Sequence, residues 1–75
     1  MIINRDAKPK ETIYYTSACI LKILNEHKRD VETLFTTTKK EIGIEVNYTT
    51  FLLSLNFLFL INKIDFDKEE LLTCI

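Results

Sequence analysis

Few side chains of this chain combine the type and spacing that chemistry needs. His27 is the only histidine. A catalytic or metal-binding histidine needs a nucleophile, a carboxylate or a second ligand within reach. Glu26 is next in sequence, but consecutive helix residues do not face each other. His27 therefore reads as a residue near a helix C-terminus, where a cation suits the dipole. Cys19 and Cys74 have neither metal-ligand spacing nor a neighbouring histidine. The acids Asp65, Asp67, Glu69 and Glu70 lack the glycine and the spacing of a calcium loop. Gly43 is the single glycine, so no glycine-rich phosphate cradle exists. No catalytic residue, cofactor site, metal site or small-molecule substrate is expected, and the chain reads as a non-enzyme.

The informative feature is apolar. Val46 to Asn62 carries no charge, in a chain of which 28% is charged. From Phe51 to Ile61 only Ser54 and Asn56 are polar. A helix that is apolar on nearly all sides must be buried on nearly all sides. Spanning a membrane takes about 20 apolar residues, more than this segment offers, so no membrane insertion is expected. A domain of 75 residues buries only about 60% of its unfolded surface. It needs a disulfide, a metal or a partner as a staple. Met1 to Asp6 shows no apolar leader, so the chain reads as cytoplasmic, with reduced and mostly buried thiols. A Cys19–Cys74 disulfide is the alternative. Association with a partner is the staple that remains.

The surrounding elements follow from periodicity and punctuation. Residues 1–10 are polar, hold Pro9 and show no period, which predicts an extended N-terminal arm. Residues 11–75 form the one domain. Thr12 to His27 reads as a helix, with Ile13, Ser17, Ile20, Leu21 and Leu24 on one face. The crowd of β-branched and aromatic residues from Thr12 to Thr16 leaves a short strand as the alternative. Asp30 caps a second helix with Glu32 in its first turn, and Val31, Leu34, Phe35 and Ile42 make its apolar side. Lys39 and Lys40 suit its C-terminus, and Gly43 supplies the stop. Asn47 caps a third helix. Its wheel gathers Tyr48, Phe51, Leu52, Leu55, Leu58 and Phe59 on one side. Leu53, Phe57 and Leu60 gather on the other, beside Thr49 and Asn56. Asn62 sits at the residue after the C-cap, where asparagine tolerates the left-handed conformation. The period then changes to two. Lys63 to Phe66 and Glu70 to Ile75 read as a hairpin turning at Asp67 and Lys68. The expected fold is α+β and mostly helical, a winged helix-turn-helix-like order of three helices and a C-terminal β-hairpin.

That order invites a test for DNA binding. A recognition helix presents Arg, Lys, Asn or Gln to base edges. Residues 47–61 contain no Arg or Lys, and Asn56 alone is no reading head. The tip residues Asp67 to Glu70 are net acidic and repel phosphate. Residues 1–30 carry a formal charge of +2 and residues 31–75 carry −3. Lys8, Lys10, Lys28, Arg29, Lys39 and Lys40 are available for nonspecific phosphate contacts. They are interleaved with acids and read foremost as solvated surface. Sequence-specific DNA binding is not expected. The second face of the third helix reads instead as a protein-binding surface made by Leu53, Phe57 and Leu60, with Asn56 at its margin.

Two segments carry a family resemblance: Ile20-Leu21-Lys22-Ile23-Leu24, and the run from Leu55 through Asn56, Phe57, Leu58, Phe59, Leu60, Ile61, Asn62, Lys63, Ile64 and Asp65 to Phe66. The second is an apolar helix, a small turn residue, Lys-Ile and an acidic-aromatic strand. Together they resemble the small middle components of bacterial ABC-three-component systems, the group that includes Lamassu-type defence modules. The likeness is greatest to the short middle component 6 subgroup. Asn62 stands where members of that group carry glycine, and it serves the same turn. The resemblance covers nearly the whole chain. It implies a non-enzymatic adaptor linking an ABC or SMC-like ATPase to an effector in anti-phage defence. The alternative from the fold order is a small winged-helix transcriptional regulator acting as a homodimer.

Overall fold

The computed structural model describes residues 9–43 and 46–75, and side chains from Thr12 onward. Three helices precede one hairpin: α1 (Pro9–Glu26), α2 (Val31–Ile42), α3 (Tyr48–Leu60), β1 (Ile64–Phe66) and β2 (Leu72–Cys74). This is the order expected from the sequence, with the layout of a winged helix-turn-helix. The helix reading of Thr12 to Thr16 holds and the strand alternative does not. The helix also begins earlier than expected, at Pro9, inside the stretch assigned to the arm. Proline suits the first helical position, because its missing N–H is one that a first turn leaves unbonded anyway. Residues 1–8 of the expected arm lie outside the described residues.

The chain ends its helices with local chemistry. Asn47 accepts a hydrogen bond from the Thr50 N–H at 2.8 Å, a direct N-cap for α3. Asp30 occupies the N-cap of α2 in extended backbone but makes no direct side-chain cap bond. Gly43 closes α2 at φ 116°, a conformation that only glycine adopts without strain. At the end of α3, Asn62 donates to the Phe59 carbonyl and Lys63 to that of Leu58. With Asn62 at φ 58°, these two bonds are a Schellman stop.

α1 is the central element and packs on α2, α3 and β2. The core joins Ile20, Ile23 and Leu24 of α1 to Leu34 and Ile42 of α2. Phe51, Leu55 and Leu58 of α3 complete it, with Val46, Ile64 and Leu72. The buried face of α1 also includes Thr16 and Ser17, while Ile13 and Leu21 are only half-buried. The hairpin is antiparallel, pairing Ile64 with Cys74, Asp65 with Thr73 and Phe66 with Leu72. It rests on α3 through the stacked rings of Phe59 and Phe66, 5.5 Å apart. It gains a further bridge, on the other edge of β2, that periodicity does not foretell. Arg29 pairs with Leu72 in both directions, at 3.1 and 2.7 Å, and so ties the α1–α2 connection to the wing. The return strand starts at Leu72, two residues later than expected. Asp67 organises the intervening loop, accepting from the Glu69 and Leu71 N–H groups, and Glu70 turns at φ 62°.

Candidate functional site

The close approach of α1 and α3 is set by two serines. Ser17 and Ser54 are both buried. Ser54 donates to Thr50 within its own helix at 2.8 Å and lies 3.3 Å from the Ile13 carbonyl of α1. Ser17 donates to Ile13 at 2.7 Å and reaches the Ser54 carbonyl at 3.5 Å. Small side chains let the two backbones meet, and each hydroxyl satisfies itself on a helix carbonyl. Larger side chains beside this contact are left to splay outward.

Those side chains line a groove of about 390 Å³ between the two helices: Ile13, Tyr14, Leu53, Asn56, Phe57 and Leu60. All four residues expected on the partner face are here, brought together by the helical spacing of α3. Leu53 is 48% exposed and Leu60 74%. Phe57 is half-buried, with its ring edge-on to Tyr14 at 5.3 Å between centroids. Asn56 is exposed. None of the six is charged, so among the described residues nothing in the groove favours an ion, and its lining suits apolar contact with one amide for orientation.

Ile13 and Tyr14 are the lining residues that sequence reasoning missed as site residues. The periodicity of α1 places Ile13 on the core face and gives Tyr14 no role in a site. The sequence signal was the aromatic crowding at the start of α1, which only the α1–α3 crossing turns toward Phe57.

The inward face of α3 differs in part from its helical wheel. Phe51, Leu55 and Leu58 are buried as expected, joined by Ser54. Tyr48 and Leu52 are exposed instead, at 51% and 42%. Tyr48 keeps one side on Phe35, edge-on at 5.1 Å.

Among the described residues the basic side chains have separate surroundings. Lys28 is engaged by Asp67 at 2.8 Å and reaches Glu69 at 3.6 Å. The Asp67 hydrogen bond raises the Lys28 ammonium, and the same bond, helped by the Leu71 N–H, holds the Asp67 carboxyl below its ordinary value. Arg29 gives its backbone to the wing, and its Nε is buried without a partner among the described residues. Lys39 lies 5.7 Å from the centre of the Phe35 ring, and Lys40 is exposed. Lys8 and the side chain of Lys10 lie outside the described residues. α3 presents no cation at all.

A second cleft of about 460 Å³ separates α1 from α2, and its lining includes Tyr15, Cys19, Lys22, Glu26, Arg29 and Glu41. Its charges are of both signs. Burial raises the Cys19 thiol, and Glu41 adds to this, so the thiolate a nucleophile needs is disfavoured. Both cysteines are free and half-buried. His27 is exposed just past the end of α1. Among the described residues, no three His, Cys, Asp or Glu side chains converge as metal ligands would, and no helix is long and apolar enough to cross a membrane.

Comparison with known proteins adds one finding. Residues 3–74 match the family model of the ABC-three component (ABC-3C) system Middle Component 6. No curated protein and no solved structure matches the chain.

Proposed function

The chain belongs to the ABC-three-component system middle component 6 family, and from that premise we propose that it is a non-enzymatic adaptor. Membership makes it a subunit of a system with other components, and so a protein with protein partners. The proposed role is to link an ABC or SMC-like ATPase to an effector in anti-phage defence. It would do so by binding one state of the assembly better than another, since a ligand shifts an equilibrium only by its differential affinity. ATP hydrolysis and effector chemistry would reside in the partners.

One observation carries this reading: the uncharged groove of Leu53, Asn56, Phe57 and Leu60, completed by Ile13 and Tyr14. Apolar side chains exposed together cost solvation that burial against a partner regains, about 25 cal/mol per Å². The neutral lining fits a contact that survives high salt. The DNA-regulator reading gains no comparable support, because the exposed face of α3 lacks the cations that phosphate and guanine require.

The test is co-expression of the tagged chain with the other two components of its system. Retention of one component through a high-salt wash, and its loss with Leu53→Asp, are the expected results. A chain that emerges alone and binds duplex DNA with a steep salt slope would move the regulator reading to first place.

A further inference from the structure

Resting on the adaptor reading, we infer that the α1–α3 groove receives a single amphipathic helix from another component of the system. It does not serve as a broad face for a folded surface or a second copy. Three features of the groove lead there.

The first is area. An aromatic side chain offers ~150–250 Å² and the aliphatic ones less, and with Tyr14, Leu53, Asn56 and Leu60 exposed but Ile13 and Phe57 only partly so, the six lining residues present no more than on the order of 500 Å². A stable interface between two folded bodies takes roughly 800 Å² per partner. A twofold dimer through this face alone falls short, whereas a helix in a groove concentrates its contact on a few anchors.

The second is shape. Leu53, Phe57 and Leu60 lie at i, i+4 and i+7 along one wall, and Ile13 and Tyr14 form the other. The buried serine contact between α1 and α3 holds the helices that carry the two walls close together. A third helix laid along this furrow packs ridge into groove, as helices in bundles do.

The third is charge. With no ionic group in the lining among the described residues, a charge on the occupant's contact stripe would be desolvated there without a counterion, so that stripe is expected to be uncharged. The Asn56 side chain makes no hydrogen bond among the described residues, and its amide suits one polar group opposite. The partner is therefore a helix of two to three turns, apolar at i, i+3 or i+4 and i+7, with one polar residue facing Asn56.

The test uses labelled 20-residue peptides that tile the other two components, titrated onto the full chain by fluorescence anisotropy. One peptide should bind, gain helical circular dichroism, and keep its affinity as salt rises. Leu60→Glu and Leu53→Asp should each weaken it at least 30-fold, with Leu60→Glu chosen because an exposed position leaves the fold intact. If no peptide binds while the intact component still co-purifies and depends on Leu53, the groove holds a folded surface. The helix inference then fails and the adaptor reading stands. If the chain is a dimer that Leu60→Glu converts to monomer, the occupant is a second copy and the inference also fails. If neither intact component co-purifies, the adaptor reading itself fails.

Discussion

Helix α3 carries two apolar faces of similar composition and opposite fate. Phe51, Leu55 and Leu58 are sealed in the core, Phe51 with its ring 5.0 Å from that of Phe35 on α2, while Leu53, Phe57 and Leu60 line an open groove. The side chains alone do not separate the two sets, since each is two leucines and one phenylalanine. The difference lies in the neighbours. The inward face joins a core cluster that includes Ile20, Leu24 and Ile64, whereas on the outward face Phe57 packs partly against that core and against Tyr14 of α1 and Leu53 and Leu60 stay exposed. Apolar content therefore specifies that a face is to be buried, and the tertiary arrangement decides whether the chain or a partner buries it. In this small domain one side of the helix is used for folding, and the other is the side proposed here to meet a partner.

The two faces should respond differently to truncation. Phe51→Ala removes a fully buried ring and should cost about 3–5 kcal/mol, a large part of the stability of a small domain. Urea unfolding measures it, and a cost below 1 kcal/mol would erase the distinction between the faces. Leu53→Asp and Leu60→Glu should change unfolding by no more than about 0.5 kcal/mol, yet reduce partner affinity by about 2 kcal/mol or more. A loss of stability equal to that of Phe51→Ala would make the groove part of the core.

Between these lies the serine contact that separates the faces. Ser54→Leu forces a larger side chain between α1 and α3 and should destabilise by about 1–3 kcal/mol. It should also disturb the groove without touching any lining residue, which partner titration reads directly. At the end of the same helix, Asn62→Val places a β-branched residue at φ 58° and should cost about 1–2 kcal/mol, whereas Asn62→Gly should be neutral or mildly stabilising.

The smallest effect is expected far from both faces. The Lys28–Asp67 pair ties the wing loop to the end of α1. Asp67 has a carboxyl held below its ordinary 3.8, first by the Lys28 hydrogen bond. Its contribution is therefore present above pH 3.8 and lost as pH falls through the lower folded value. Lys28 is raised above 10.5 by the same bond, so its contribution is present below pH 10.5 and lost as pH rises through the folded value. Lys28→Ala should remove the pair's part of both dependences. An unchanged acid limb in the variant would show that the pair is not linked to folding.

Much of this was legible because the signals are local. Asn47, Gly43 and Asn62 each act within a few residues of themselves, and each end of α3 lies where they place it. The change of period at Lys63 announced the hairpin for the same reason. What stayed hidden depends on distant pairing. Arg29 joins the wing through two backbone bonds to Leu72, and a single extended residue has no periodicity to reveal it. Ile13 and Tyr14 enter the groove only because Ser17 and Ser54 fix how the two helices cross. Tyr48 and Leu52 were assigned inward because a helix apolar all round offers no polar face to set its rotation. Asn56 marked the outward side correctly, and Ser54, the other polar residue of the run, proved to be the buried contact. The placement of the four groove residues together follows from i, i+3, i+4 and i+7 spacing, which needs no tertiary knowledge.

The most direct measurement is side-chain footprinting of the chain, free and in complex with the component it retains. Hydroxyl radicals report the exposure of Tyr14, Leu53, Phe57 and Leu60 against that of Tyr48 and Leu52 in one experiment. Protection of the first group with unchanged reactivity of Tyr48 and Leu52 is the expected result. Equal reactivity of the groove in both states, with protection falling on Tyr48 and Leu52 instead, would contradict the assignment of the outward face of α3 to a partner.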